Sequence, residues 1–345
     1  MRRLLGAFLA IGLVTAACGD DSDGGDSITL VTHDSFAVSD DVLADFEEQS
    51  GVEVELLPAG DAGTALNQAV LTADDPLGDV IFGIDNTFLS RAVDEDILIP
   101  YESPELANVP EQYQLDPGHF LTPVDHGDVC INYDKAYFDD NGLAPPETLD
   151  DLRRPEYAGL LVTENPATSS PGLAFLLATI AAYGEDGWRD YWSDLRANDV
   201  EVVAGWEEAF NGSFSAGEGA GERPLVVSYA SSPPVTLLFS DPPPPEPTIG
   251  TMLASCFSQI EFVGILEGTD NEEAARDLVD FMLSVRFQED IPLNMFVFPV
   301  REGVALPPEF EEFAEVPAEP LSLPPEEIGT ERERWIDEWT ETVLR

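Results

Sequence analysis

CFSQIEFVGIL (Cys256–Leu266) and VDHGDVCINYD (Val124–Asp134) are long apolar runs, and each stands between blocks of alternating strand and helix signals. Ahead of them, ITLVT, VEVELLP and GDVIFGID read as strands, while SDDVLADFEEQSG, TALNQAVLTADD and TFLSRAVDEDILIPY read as helices. That β-α-β-α-β series predicts a mostly parallel sheet. Between the two runs, ETLDDLRRPEYAG reads as a helix and turn. LLVTENP, VEVVAGW and RPLVVSYASSP read as strands, and SSPGLAFLLATIAAYGEDGWRDYWSDLRAN as two helices. GDVCINYDKAYF is predicted as one strand through Phe138, NEEAARDLVDFMLSVRFQEDI and RERWIDEWTETVLR as amphipathic helices, and SDPPPPEP as a stiff connector. A sheet that is left and re-entered by two crossing strands predicts an α/β protein of two lobes with a cleft between them. The first lobe takes residues 27–126 and 262–345, the second 127–261. In such folds ligands meet the carboxyl ends of strands and the N-termini of helices.

The first strand ends in THDSF, which places His33, Asp34 and Ser35 side by side. These are the residue types of a hydrolase triad, but successive strand side chains point to opposite faces. His33 and Ser35 then share one face and Asp34 the other. A triad needs its base between nucleophile and acid, usually from separate segments. The chain has no G-x-S-x-G elbow. The stretch reads better as a binding wall.

Composition narrows the partners. The 345 residues hold 68 Asp+Glu against 15 Lys+Arg, a net charge of −53, and Lys135 is the one lysine. Such a surface repels nucleic acid and anionic membrane. The acids are spread along the whole chain, consistent with solubility in concentrated salt or with a generally acidic composition. The N-terminus, MRRLLGAFLAIGLVTAAC, has the basic, apolar and small-residue regions of a signal peptide over residues 1–17. Its TAAC ending resembles a bacterial lipobox, which would make Cys18 the lipidated first residue of the mature chain. Residues 18–27 then form a flexible tether. Cys130 and Cys256 are either an exported disulfide or two buried small hydrophobes. His33, His119 and His126 show no metal-ligand spacing.

The ordered set THDSF, ADDPLGDVIFGIDNTFL, TSSPGLAFLLATIAAYGEDGWRDYW, GWEEAF, LVVSYASSP, FMLSVRFQEDIPLNMFVFPV and RERWIDEWT resembles the thiamine-binding components of bacterial ABC importers. The resemblance spans nearly all of the mature chain. It implies a type II-like periplasmic-binding-protein fold and a non-catalytic role. It also implies thiamine or a thiamine phosphate as ligand, an ABC permease as partner, a monomer outside the cytoplasm, and no cofactor. Motif by motif, it implies ligand contacts from His33 (where the family has tyrosine), Asp34 and Ser35. Asp61 matches the family's acid, and Ala62 falls on its glycine. Ser169 and Ser170, at a helix start, suit a phosphate ester. Trp206 matches a pocket tryptophan, and Tyr229, Ala230, Ser231 and Ser232 match a Y-T-T-S segment. Val235 falls on a tyrosine and Phe296 on a tryptophan, so three aromatic walls are reduced. Asp85 adds a further carboxylate.

That chemistry suits a flat, permanently charged cation, which wants aromatic faces and carboxylates. With an ordinary imidazole pKa, His33 would charge between about pH 8 and about pH 5 and weaken the binding of a cation. Two other classes stay open. One is a same-fold binding protein for ferric ion or a polyamine. The other is a thiamine-degrading transferase with Cys130 as nucleophile, although Cys130 lies inside an apolar strand rather than at a cleft-facing end.

Overall fold

The computed structural model describes residues 27–345. The predicted signal peptide, Cys18 and all but the last residue of the predicted tether lie outside them.

The strands are β1 (Ser27–Thr32), β2 (Glu53–Pro58), β3 (Val80–Asp85), β4 (Leu98–Ile99), β5 (Thr122–Asp134), β6 (Leu161–Glu164), β7 (Glu201–Val203), β8 (Leu225–Tyr229), β9 (Ile249–Leu266) and β10 (Phe298–Pro299). They form one sheet in the order β2-β1-β3-β9-β5-β8-β6-β7, with β4 on β9 and β10 on β5. β1 runs parallel to β2 and β3. β6 runs parallel to β7 and β8. Between these parallel blocks lies one antiparallel pair, β5 and β9, in register from Thr122↔Val263 to Asp134↔Ile249. These are the two runs that the sequence marks as crossing.

The helices are α1 (Asp40–Ser50), α2 (Ala62–Leu71), α3 (Leu89–Asp94), α4 (Lys135–Asn141), α5 (Ser170–Ala197), α6 (Val235–Phe239), α7 (Glu272–Met282), α8 (Val285–Gln288), α9 (Ile291–Asn294), α10 (Pro308–Phe313) and α11 (Pro325–Val343). α5 is interrupted at Gly184, whose φ of 67° no helix contains, so it is the two helices expected. Trp188 and Trp192 on α5, and Trp335 and Trp339 on α11, each stand four residues apart. That spacing puts each pair on one helix face, and all four rings are fully buried. The W-I-x-E-W motif is therefore a core feature, and Trp192 meets Trp339 edge to face at 5.4 Å.

Three boundaries differ from the sequence reading. β5 stops at Asp134, whose Oδ1 accepts from the N–H groups of Ala136 and Tyr137 and starts α4 there. ETLDDLRRPEYAG forms two short 3-10 turns, Leu149–Arg153 and Pro155–Tyr157. The cause is Pro155, which holds Arg154 in an extended conformation. The helix predicted over 271–291 ends at Met282. Ser284 is extended, and its hydroxyl accepts from Phe287 N to begin α8.

The β5–β9 ladder slips between Val129 and Ile131. The Ile131 N–H freed there is taken by Ser255 Oγ at 2.8 Å, which in turn donates to Met252 O. At the same place Cys130 and Cys256 are disulfide-bonded, closing 126 residues of sequence. A link across that length removes much of the unfolded chain's freedom. The Cys130→Ala, Cys256→Ala double variant is therefore expected to lose about 2–5 kcal/mol of unfolding free energy. Urea titration of wild type and variant checks this, and equal midpoints and slopes would refute it.

Candidate functional site

The carboxyl end of β1, the starts of α2 and α5, and the segments after β7 and β8 converge on a cavity of about 420 Å³. Asp61 organises it. Its Oδ1 accepts from Ala62 N at 2.7 Å and Ser170 N at 3.1 Å, and its Oδ2 accepts from Trp206 N at 2.9 Å. One carboxyl thus ties the start of α2 to the start of α5 and to the turn after β7. Burial nevertheless outweighs those N–H bonds and pushes its pKa up to about 6.

Aromatic groups form much of the wall. Trp206 stacks on Phe210 at 4.9 Å and 16°, and its Nε1 donates to Ser228 Oγ at 2.9 Å. Phe210 lies four residues on, in a π-helical turn over Glu208–Ser213. Phe296 adopts a left-handed φ of 57° and meets Phe239 at 5.6 Å. Tyr229 lines the cavity beside them. His33 packs against Phe82 at 5.5 Å. Gly83 makes room for it: a Cβ there would lie 2.3 Å from His33 Cδ2.

Of the residues singled out in the sequence, His33, Ser35, Asp61, Ala62, Ser170, Trp206, Tyr229, Ser232 and Phe296 line the cavity, as does Val235. Five others do not. Asp34 is exposed, because β1 ends at Thr32 and the chain turns outward, with Asp34 N donating to Gly60 O. Asp85 is fully buried. Its Oδ1 accepts from the Thr87 hydroxyl at 2.6 Å and Thr87 N at 2.9 Å, and its Oδ2 accepts from Ser170 Oγ and from Gln259 Nε2. Ser169 caps α5, accepting from Gly172 N. Ala230 packs with the Cys130–Cys256 disulfide, and Ser231 is buried with its hydroxyl unpartnered. The phosphate-cradle reading of Ser169 and Ser170 is corrected accordingly. Ser170 N is held by Asp61, and both hydroxyls are turned to protein partners.

Like Phe210, Glu261 is a wall residue that sequence reasoning missed. It is 7% exposed and lines the cavity from β9. Its Oε1 lies 3.6 Å from His33 Nε2. The signal was present, as a lone acid inside the apolar run SQIEFVGIL. The expectation that His33 titrates near neutrality is also corrected: burial holds its imidazole down to about 4. Among the residues lining the cavity are the acids Asp61, Glu207, Glu218 and Glu261, and no lysine or arginine. Among the described residues, no cluster of His, Cys, Asp or Glu could hold a metal ion.

A cleft built between two halves of one sheet, walled by strand ends and helix starts, belongs to the solute-binding class. The family model described as "Bacterial extracellular solute-binding protein" matches residues 75–232. Within that class the chain belongs to the family of thiamine-binding periplasmic proteins. The member from Salmonella typhimurium (strain LT2) is 30% identical over 328 residues, covering 92% of this chain and 94% of the relative. A solved periplasmic thiamin binding protein superposes with a TM-score of 0.81 at 28% identity, over 94% of this chain and 98% of its own. A ferric binding protein from Campylobacter jejuni shares the fold, with a TM-score of 0.73 at 17% identity over 91% and 99% of the two chains. The thiamine-binding relatives are solute-binding proteins, and the chain is a binding protein rather than an enzyme.

The buried acids set a pH dependence of stability. Burial raises Asp61 and Asp128 to about 6 and Glu164 well above the ordinary range, and Asp125 and Glu261 are raised too. His33 and His126 move the opposite way, to about 4, and oppose the trend with fewer groups. A carboxyl that holds its proton in the fold and loses it on unfolding stabilises the fold at low pH, and that stabilisation is lost as pH rises. The Tm of the ligand-free protein is therefore expected to fall between about pH 5 and about pH 8. Scanning calorimetry across that range checks it, and a Tm rising throughout would overturn it.

Proposed function

We propose that this protein captures thiamine outside the cytoplasm and delivers it to the permease of an ABC importer. The observation that carries this reading is the character of the cavity wall. Trp206, Phe210, Tyr229 and Phe296 offer aromatic faces, carboxyl groups stand among them, and no lining residue is a lysine or arginine. Such a wall favours a flat organic cation, and its volume falls in the usual range for small-molecule sites. The ligand contacts are proposed to come from His33, Ser35, Asp61, Ala62, Ser170, Trp206, Tyr229, Ser232, Phe296 and Glu261. A phosphate ester would have to compete with Asp61 for Ser170 N, so it is expected to bind no more tightly than thiamine itself.

The lobes are proposed as 27–126 with 262–345, and 127–261. The crossing of β5 and β9 between the two parallel blocks supports that division. The protein is proposed to act as a monomer. A ferric ligand finds poor support, since Tyr229 is the one tyrosine in the wall. Cys130, buried and disulfide-bonded, is no nucleophile.

Titration calorimetry with thiamine, thiamine monophosphate and spermidine tests the assignment. Thiamine is expected to bind, and Trp206→Ala to weaken it about tenfold or more, from the loss of about 1–2 kcal/mol of cation–π and stacking contact. Spermidine heat without thiamine heat would replace this reading with the polyamine one. The membrane tether is proposed to be the lipid on Cys18, which the TAAC ending supports. Cell fractionation should find wild type with the membrane and Cys18→Ser in the soluble extracytoplasmic fraction. Identical fractionation of the two would remove the anchor.

A further inference from the structure

Glu261 on β9 stands in register with Asp125 on β5 and, on its other side, with Asp85 on β3. In-register residues of neighbouring antiparallel strands hold their Cβ atoms about 5 Å apart on one face of the sheet. Asp85 is satisfied by five donors, Phe88 N among them. Asp125 is not. It is 0% exposed, and neither of its oxygens receives an N–H or O–H bond. Its nearest acidic neighbour is Glu261, which reaches from it into the cavity. His33 Nε2, 3.6 Å from Glu261, is likewise buried and unpartnered.

The groups facing this pair come from every adjoining element. They are His33 at the end of β1, Asp61 at the start of α2, Asp85 on β3 and Tyr229 on β8. β10, paired with β5 at this level, contributes Phe298 and Pro299. None of these carries a positive charge while His33 stays neutral. Arg332 on α11 pairs with Glu333 at 2.8 Å, not with the pair. Two adjoining carboxyls with no countercharge cannot both ionise, so they hold a proton between them.

We propose that Asp125 and Glu261 are a proton-sharing pair that exchanges its proton for the ligand's positive charge, making Glu261 the residue that selects a cation. This rests on the reading of the cavity as a cation site. The exchange balances: the protonated pair and a cation give the ionised pair with the cation bound, and one proton passes to solvent. The net charge of the cavity does not change, so the cation enters without adding to the buried charge already there. An uncharged flat molecule brings nothing to replace the proton and leaves the pair as it was. Ionised Glu261 also gives the unpartnered His33 Nε2–H an acceptor.

The test is titration calorimetry of the mature protein with thiamine, in phosphate and in Tris at about pH 7, then across pH. Wild type is expected to show a heat that differs between the buffers by up to one proton released per ligand. Its affinity should fall as pH falls, approaching tenfold per pH unit below the titration of the pair. Glu261→Gln should weaken binding about tenfold or more and make the heat independent of buffer. Asp125→Asn removes the competitor for the proton. It should move the pH profile to lower pH, so that at about pH 6 the variant binds more tightly than wild type. Thermal scans confirm that both variants fold. Buffer-independent heat in the wild type overturns the inference alone, as does an Asp125→Asn profile that coincides with wild type. Absence of any thiamine binding overturns the ligand assignment and this inference with it.

Discussion

The antiparallel ladder between β5 and β9 is the constraint on which the rest depends. It is the one pairing that runs through both halves of the sheet, and both parallel blocks hang from its flanks. Strand period then decides the site. Gln259 and Glu261 share one face of β9, and their partners Gly127 and Asp125 share the matching face of β5. A glycine at 127 leaves room for the Tyr229 ring: a Cβ there would stand 3.1 Å from Tyr229 Cδ1. A slip of one residue would turn Glu261 away from the cavity and bring Phe262 in its place. The Cys130–Cys256 disulfide sits where the ladder does slip, and it fixes the register on either side.

The fold was legible because its signals are periodic and redundant. Short apolar runs alternating with amphipathic ones mark the β/α units, and the two overlong runs mark the crossing. The errors of extent fall where one residue overrides a pattern: Pro155 broke a helical stretch, Ser284 capped a new helix, and Asp134 ended a strand. Site residues were harder to place for a chemical reason. An N-cap and a ligand contact call for the same side chains at the same place, the start of a helix. Ser169 and Asp85 were legible as polar groups at strand and helix ends, but only the geometry shows that backbone and hydroxyl donors already hold them. Asp34 was carried over with its neighbours, although the strand period that supports His33 stops at Thr32. Glu261 was passed over because one acid in an apolar strand carries no spacing signal. Its meaning comes from Asp125, 136 positions earlier and in register across the ladder.

The acidic composition has a different meaning inside the molecule than on its surface. Outside, most acids are solvated and the arginines pair with several of them, as Arg286 does with Asp41 and Asp45. Such exposed pairs contribute little to stability. Inside, acids are buried with few or no basic partners, which a fold tolerates only by hydrogen-bonding or protonating them. The partly buried wall thus presents negative or proton-bearing groups and aromatic faces, which favours a cation and disfavours an anion.

Asp85, Asp61 and Glu261 differ in how many protein donors they hold, and that count sorts their roles. Asp85 is surrounded by Thr87, Ser170 and Gln259, has no oxygen left over, and joins β3 to β9 and α5. Asp61 accepts from one N–H of its own helix and two from the second half of the chain, Ser170 and Trp206. Those two bonds tie the start of α2 to the start of α5 and to the Trp206 wall. Glu261 has His33 at 3.6 Å and the acids Asp125, Asp85 and Asp61 around it. A buried carboxyl with so few donors keeps its proton in an empty site and can ionise beside a cation. Glu261 is therefore the carboxyl placed to trade the proton it shares with Asp125 for a ligand's positive charge, and the selectivity of the cleft follows from that exchange.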